Sequence, residues 1–202
     1  MADWIVEVVG RLGYAGIFLL TLLENVFPPI PSEVIMPLAG FHTAKGELTF
    51  WGVTAAGSFG SLLGTLGWYW AGHRMGEEQL RRLIARHGRW LALEEHDVDQ
   101  VKAWFQRHGT AAVFVCRLMP GLRTLISLPA GFQAMGMWQF LLPSAAGTIL
   151  WTTALTYAGH LLGNRYAEVE GYLGIASWAA IGIIAVLYVY RQIKFLRFGR
   201  QA

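Results

Sequence analysis

Glu24, Glu33, Arg117 and Arg123 are ionisable side chains set in otherwise apolar sequence. The acids lie in residues 23–41, LENVFPPIPSEVIMPLAGF, and the arginines in residues 110–131, TAAVFVCRLMPGLRTLISLPAG. At bilayer depth an ionisable side chain costs at least ~2.5 kcal/mol on insertion scales, so such residues mark functional sites. Burial favours the neutral form of a carboxyl and a nearby arginine favours the ionised form, so a carboxyl held between those effects can carry a proton. Arginine stays charged and meets phosphate with a planar fork of donors. Arg117 and Arg123 are separated by Pro120-Gly121, a break that could let both guanidiniums converge on one phosphate. Thr124 and Ser32 can donate hydrogen bonds to a headgroup or cap helix ends. The four charges also admit a structural reading, as a salt-bridge lock between the two stretches.

Proline dictates how these groups are positioned. Pro28, Pro29 and Pro31 stop any helix that carries Glu24, and Pro120, Gly121 and Pro129 interrupt the arginine stretch. Interrupted backbone in lipid is tolerated only where protein or a water-filled cavity satisfies it. Each stretch is therefore expected to be a re-entrant hairpin, with these prolines and Gly121 forming its tip. The whole chain suits that setting. It has 202 residues, 54% of them hydrophobic, and only 14% charged, against roughly 25% in soluble domains. Its 24 glycines and 9 tryptophans fit close helix packing and interfacial anchoring. The net charge of +3 is no nucleic-acid footprint, and the single Cys116 excludes an internal disulfide or a multi-cysteine zinc cluster. Residues 1–10 lack the basic start of a cleavable signal peptide and are expected in the mature protein.

Residues 50–72 and 138–162 are expected to span the membrane, the second bent at Pro143, with a further span at 173–190. Gly57, Gly60, Gly64 and Gly67 line one face of the first. Residues 74–108 read as amphipathic surface helices capped by Gly88 and Gly109, with Glu94, Glu95, Asp97 and Asp99 at a solvated helix start.

The two halves repeat. Arg11–Phe18 matches Arg107–Phe114 at Arg, Gly, Ala and Phe, Ala39-Gly40-Phe41 matches Ala130-Gly131-Phe132, and Trp70–Gly76 matches Tyr157–Gly163. The matches keep their order at offsets drifting from 96 to 87 residues. One hairpin and one span per repeat forces opposite orientations, so the acidic tip faces the basic tip near the midplane. The fold expected is an all-α membrane protein in one domain, 1–202. It comprises repeat 1 at about 11–76, amphipathic cytoplasmic helices at 77–106, repeat 2 at about 107–163 and a C-terminal transmembrane helix at 173–190. Residues 73–90 hold five Arg against two Glu, and the tail carries Arg191, Lys194, Arg197 and Arg200. The positive-inside rule then puts the C-terminus in the cytoplasm. Inverted repeats with broken helices are the architecture of secondary transporters.

Glu24 with Pro-x-Pro-Ser-Glu33, and Arg117-x-x-Pro-Gly-x-Arg123-Thr124 followed by Pro129-Ala-Gly131, resemble the signatures of the DedA family, also called the SNARE-associated or VTT-domain family, over residues 11–165. The resemblance implies a flippase of the cytoplasmic membrane. Its cargo would be a phosphate-bearing lipid, undecaprenyl phosphate first and phosphatidylethanolamine or another phospholipid second, driven by the proton motive force. Arg117, Arg123 and Thr124 would bind phosphate, and Glu24 and Glu33 would carry protons. The expected partners are that lipid and protons, with a homodimer possible and no nucleic acid. No cofactor or metal is expected. A proton or cation exchanger is the competing class, since midplane acids suffice for it. An enzyme is not expected, because His73 and His160, matched between the repeats, lie towards the membrane faces, away from the charged tips.

Overall fold

The computed structural model describes residues 3–26, 32–91, 95–119 and 122–163. Among them every regular element is helical and none is a strand. Helix α1 (Asp3–Leu12) leads into α2 (Tyr14–Val26), whose apolar run ends just ahead of the proline cluster. Helix α3 (Ser32–Ala44) starts immediately after Pro31 and passes through Pro37. Helix α4 (Phe50–Leu91) is broken at Gly76, with φ 65 and ψ 169, and α5 (Glu95–Arg117) at Gly109, with φ 49 and ψ −126. Positive φ of this kind is open to glycine at no steric cost. The first break separates the expected span from the amphipathic segment after it. Two short helices follow, α6 (Leu122–Leu125) and α7 (Ser127–Phe132), and then α8 (Met137–Leu162), which runs through Pro143 as one helix. Gly88 is not a helix terminus, because α4 continues past it to Leu91. Gly109 does end a helix: α5 is two helices joined at this positive-φ glycine, which closes the first of them. Pro28, Pro29, Pro31, Pro120, Gly121, the expected span 173–190 and the basic tail lie outside the described residues.

The broken segment of each half packs on the long helix of the other half: α3 on α8, and α7 on α4. Glycine permits both crossings. A Cβ on Gly159 would stand 2.0 Å from the Pro37 carbonyl oxygen, and one on Gly40 would stand 2.2 Å from that of Thr156. On the other crossing, a Cβ on Gly131 would lie 2.2 Å from the Tyr69 carbonyl oxygen, and one on Gly72 2.4 Å from that of Leu128. Backbone meets backbone at both seams, as at small-residue helix interfaces in membranes. Ile17, Leu20, Ile35, Met36 and Val53 fill one core, Tyr69, Phe105, Val113, Ile126 and Phe140 a second, and Leu80, Val98 and Phe132 a small third.

Polarity is arranged inside out. Buried positions of α4 and α8 carry Thr54, Ser58, Ser61, Thr65, Ser144, Thr148, Thr152 and Thr156, while Trp51 is 74% and Trp138 69% exposed. Ser58 and Thr152 share a 2.8 Å hydrogen bond between α4 and α8, and Thr152 and Thr156 donate to carbonyls one turn back, while Thr54 Oγ1 has no partner among the described residues. No helix among the described residues is long and apolar enough to cross a membrane. This corrects the simple picture of two apolar spans at 50–72 and 138–162. At ~1.5 Å per residue α8 has the length, but inward-facing Gly, Ser and Thr dilute its hydropathy.

Beyond Gly76, Glu77 bridges Arg81 at 2.8 Å and Lys102 at 2.7 Å, and Arg81 also reaches Asp99, joining α4 to α5. Hydrogen bonds from Lys102 and Arg81 hold the Glu77 carboxyl below its ordinary value of 4.5. A depressed folded-state pKa stabilises above the unfolded value and is lost as pH falls through the folded one. Hydrogen exchange in residues 77–82 and 98–105, corrected for intrinsic rate, should therefore accelerate as pH drops below about 4.5. The effect should weaken in high salt and vanish in Glu77→Gln, and a pH response retained in that variant would contradict it.

A buried arginine–carboxylate site

The end of α2 is pinned before the chain turns. Trp68 on α4 donates its indole N–H to the Asn25 carbonyl at 2.6 Å, and the Asn25 amide donates to the Thr21 carbonyl at 2.8 Å. This satisfies a carbonyl that a helix end leaves without an internal partner and fixes Glu24 one residue away. Glu24 is 5% exposed. Its Oε1 accepts the backbone N–H of Ser32, the first residue of α3, at 3.0 Å. The same oxygen is paired with the guanidinium of Arg123 on α6. Neither Glu24 Oε2 nor the Ser32 hydroxyl has a hydrogen-bond partner among the described residues.

Arg117 lies deeper, at 2% exposure. Its Nη1 donates to the carbonyl of Arg123, Nη2 to the Ser127 hydroxyl at 2.9 Å and to Ser144 at 3.2 Å, and Nε to Ser144 at 3.3 Å. The guanidinium carbon sits 5.4 Å from the centre of the Phe140 ring, a cation–π distance. Phe140 in turn stacks on Tyr69 at 4.5 Å. Gly147 gives Arg117 its room, since a Cβ there would come within 2.6 Å of the arginine's own Cβ.

Of the four charges expected to face one another, one ion pair forms among the described residues, Glu24 with Arg123. Arg117 is held by hydroxyls, a carbonyl and a ring rather than by a carboxylate. Glu33, in the first turn of α3, is half-buried and is not a member of that pair. Thr124 is half-buried next to Arg123, and Pro129 lies within α7. His160 shares a hydrogen bond of 2.8 Å with Thr43 across the seam of α3 and α8, and His73 stacks on Tyr69 one turn back on α4. Cys116 packs in the second core. Sequence reasoning missed Ser127 and Ser144 as the partners of Arg117. The signal available was that hydroxyls recur on buried faces of an otherwise apolar protein, where each needs a partner. No three His, Cys, Asp or Glu gather as a metal-binding group among the described residues.

A chain with broken, glycine-seamed helices around a buried arginine–carboxylate pair is what the VTT domain comprises here: that domain matches residues 30–161. The chain belongs to the VTT-domain, or DedA, family of membrane proteins. It is 36% identical over 198 residues to the "alkaline phosphatase-like protein" of Lactococcus lactis subsp. cremoris, covering 98% of this chain and 92% of that one. It is 35% identical to undecaprenyl phosphate transporter A of Staphylococcus aureus, with 97% of each chain covered. It is 30% identical to undecaprenyl phosphate transporter A of Bacillus subtilis, with 90% of each covered. No solved structure matches. The staphylococcal and Bacillus relatives are named as transporters and not as enzymes.

Proposed function

We propose that this protein carries a phosphate-bearing lipid, undecaprenyl phosphate, across the cytoplasmic membrane, coupled to protons. The observation that carries the reading is the buried Glu24–Arg123 pair at the start of α3. Relatives covering nearly all of the chain are named for that lipid. Arg123 is the phosphate-binding cation, with Thr124 beside it, and Arg117 fixes Arg123 by gripping its carbonyl. Glu24 and Glu33 are the proton carriers. The group facing Glu24 is Arg123 from α6, with Arg117 behind it on α5. Protonation of Glu24 frees Arg123 for phosphate, and deprotonation re-forms the pair and expels the lipid.

The proposed topology is two inverted repeats, 11–76 and 107–163, with 77–106 and the C-terminus cytoplasmic. Matched contacts support it: Gly40 lies against Thr156 and His160 as Gly131 lies against Tyr69 and His73. The matched glycines Gly13 and Gly109, and Gly76 and Gly163, all have positive φ.

The test is native mass spectrometry of gently purified protein with undecaprenyl phosphate and with phosphatidylethanolamine. The prenyl phosphate should be retained. Arg123→Lys keeps the charge but loses the fork and should bind it about tenfold more weakly, roughly 1.4 kcal/mol. Preferential retention of phosphatidylethanolamine would shift the cargo to phospholipids. Binding of neither would favour an exchanger, and the same spectra count subunits.

A further inference from the structure

The resting site is an anion seat that Glu24 fills only in part. The donors converging on it are the Arg123 guanidinium and the Ser32 N–H. That N–H opens α3, a helix of 13 residues whose N-terminal dipole favours an anion. The Ser32 side chain is a further donor, 1% exposed and without a partner. The occupying carboxylate uses one oxygen for both contacts and leaves the other unpartnered. Buried polar groups are nearly always satisfied, so two orphans at one helix start need an explanation. A phosphate monoester supplies it. Its several oxygens can accept from the guanidinium, the N–H and the hydroxyl together, where a carboxylate holding one oxygen forward cannot.

On the reading above that a lipid phosphate is the cargo, we infer that Ser32 is a further phosphate ligand, and that Glu24 occupies the resting seat as a tethered stand-in for the lipid phosphate. Ser32 gives both its N–H and its hydroxyl to the phosphate when the Glu24 carboxylate leaves. The hydroxyl is free in the resting protein because its partner arrives with the lipid. A capping role predicts differently: a Ser32 that capped its own helix would bond a backbone N–H of the first turn, and its Oγ has no such bond.

The experiment measures binding of undecaprenyl phosphate, and separately of inorganic phosphate, to full-length protein in detergent, alongside thermal stability. Ser32→Ala should weaken prenyl-phosphate binding about five- to tenfold, in line with a hydrogen bond to a charged group, with no loss of melting temperature. Ser32→Thr restores the hydroxyl and should recover most of the affinity. Retention of wild-type affinity by Ser32→Ala, with the wild type binding normally, would overturn the role of Ser32 and leave the carrier reading intact. A wild type that binds no lipid phosphate overturns both. A parallel loss of inorganic-phosphate binding in Ser32→Ala upholds the seat as one for the phosphate group itself. A loss confined to the prenyl phosphate upholds it as one for the lipid.

Discussion

Glu24→Gln is expected to lower the unfolding free energy by about 3–5 kcal/mol and to abolish transport, because it leaves Arg123 as a buried cation without a counter-ion. The Arg123 side chain is only 12% and that of Glu24 only 5% exposed, so solvent cannot replace the lost partner. Glutamine keeps the shape and can still accept the Ser32 N–H, which confines the change to charge. Folding and transport separate in the double variant Glu24→Gln with Arg123→Met. Removing both members of a buried pair is often neutral, so this protein should melt within about 1–2 kcal/mol of wild type. It should nevertheless carry no prenyl phosphate in proteoliposomes, having lost both the proposed proton carrier and the proposed phosphate-binding cation. A wild-type melt for Glu24→Gln would show that the pair is not what holds the two broken segments together. Transport by the double variant would remove the pair from the mechanism.

Gly159→Ala should be nearly as damaging for a different reason. Its Cβ would lie 2.0 Å from the oxygen and 2.6 Å from the carbonyl carbon and Cα of Pro37, all backbone atoms that no rotamer change can move. Helix α3 would have to shift bodily on α8, and overpacking of this kind costs about 3 kcal/mol or more. Gly67→Ala supplies the opposite sign in the same experiment. Nothing lies within 4 Å of a Cβ there, and alanine in a helix interior is favoured over glycine by ~0.5–1 kcal/mol. Denaturant melts in detergent should therefore move in opposite directions for two chemically identical substitutions. Gly159→Ala within about 1 kcal/mol of wild type would mean that the seam is looser than the backbone distances require.

Charge and proline made the site partly readable from residue order alone. Proline cannot hide in a helix, so Pro28, Pro29 and Pro31 announced where α2 stops and α3 begins, and buried charges of opposite sign must find each other. Those two constraints led to Glu24 and Arg123. They did not distinguish Arg123 from Arg117, because six residues of separation around Pro120-Gly121 leave both geometries open. The difference lies in Ser127 and Ser144, whose importance is tertiary: each is an ordinary serine until α7 and α8 bring it to a guanidinium. Glu33 illustrates the same limit: it opens α3 next to Ser32, yet the ion pair among the described residues is made by Glu24. Length and period outlined α4 and α8, but apolarity misjudged them. A helix that hides Ser and Thr against its neighbours, and turns Trp51 or Trp138 outward, looks less hydrophobic along the chain than the face it presents.

The crossed seams bear on how the chain is made. Helix α3 rests on α8, and Thr43 meets His160 across 117 residues of sequence. The first half therefore leaves its synthesis with one face of α3 packed on α2 and α4, and with the glycine face that meets α8 still uncovered. It must wait, with Glu24 uncompensated, until the second half supplies both α8 and Arg123. Contacts so distant in sequence are slow to close and expose intermediates to misassembly. Truncation then leaves two distinct marks: a molecule ending before α6 carries an acid with no arginine, and one ending before α8 carries a glycine seam with nothing against it.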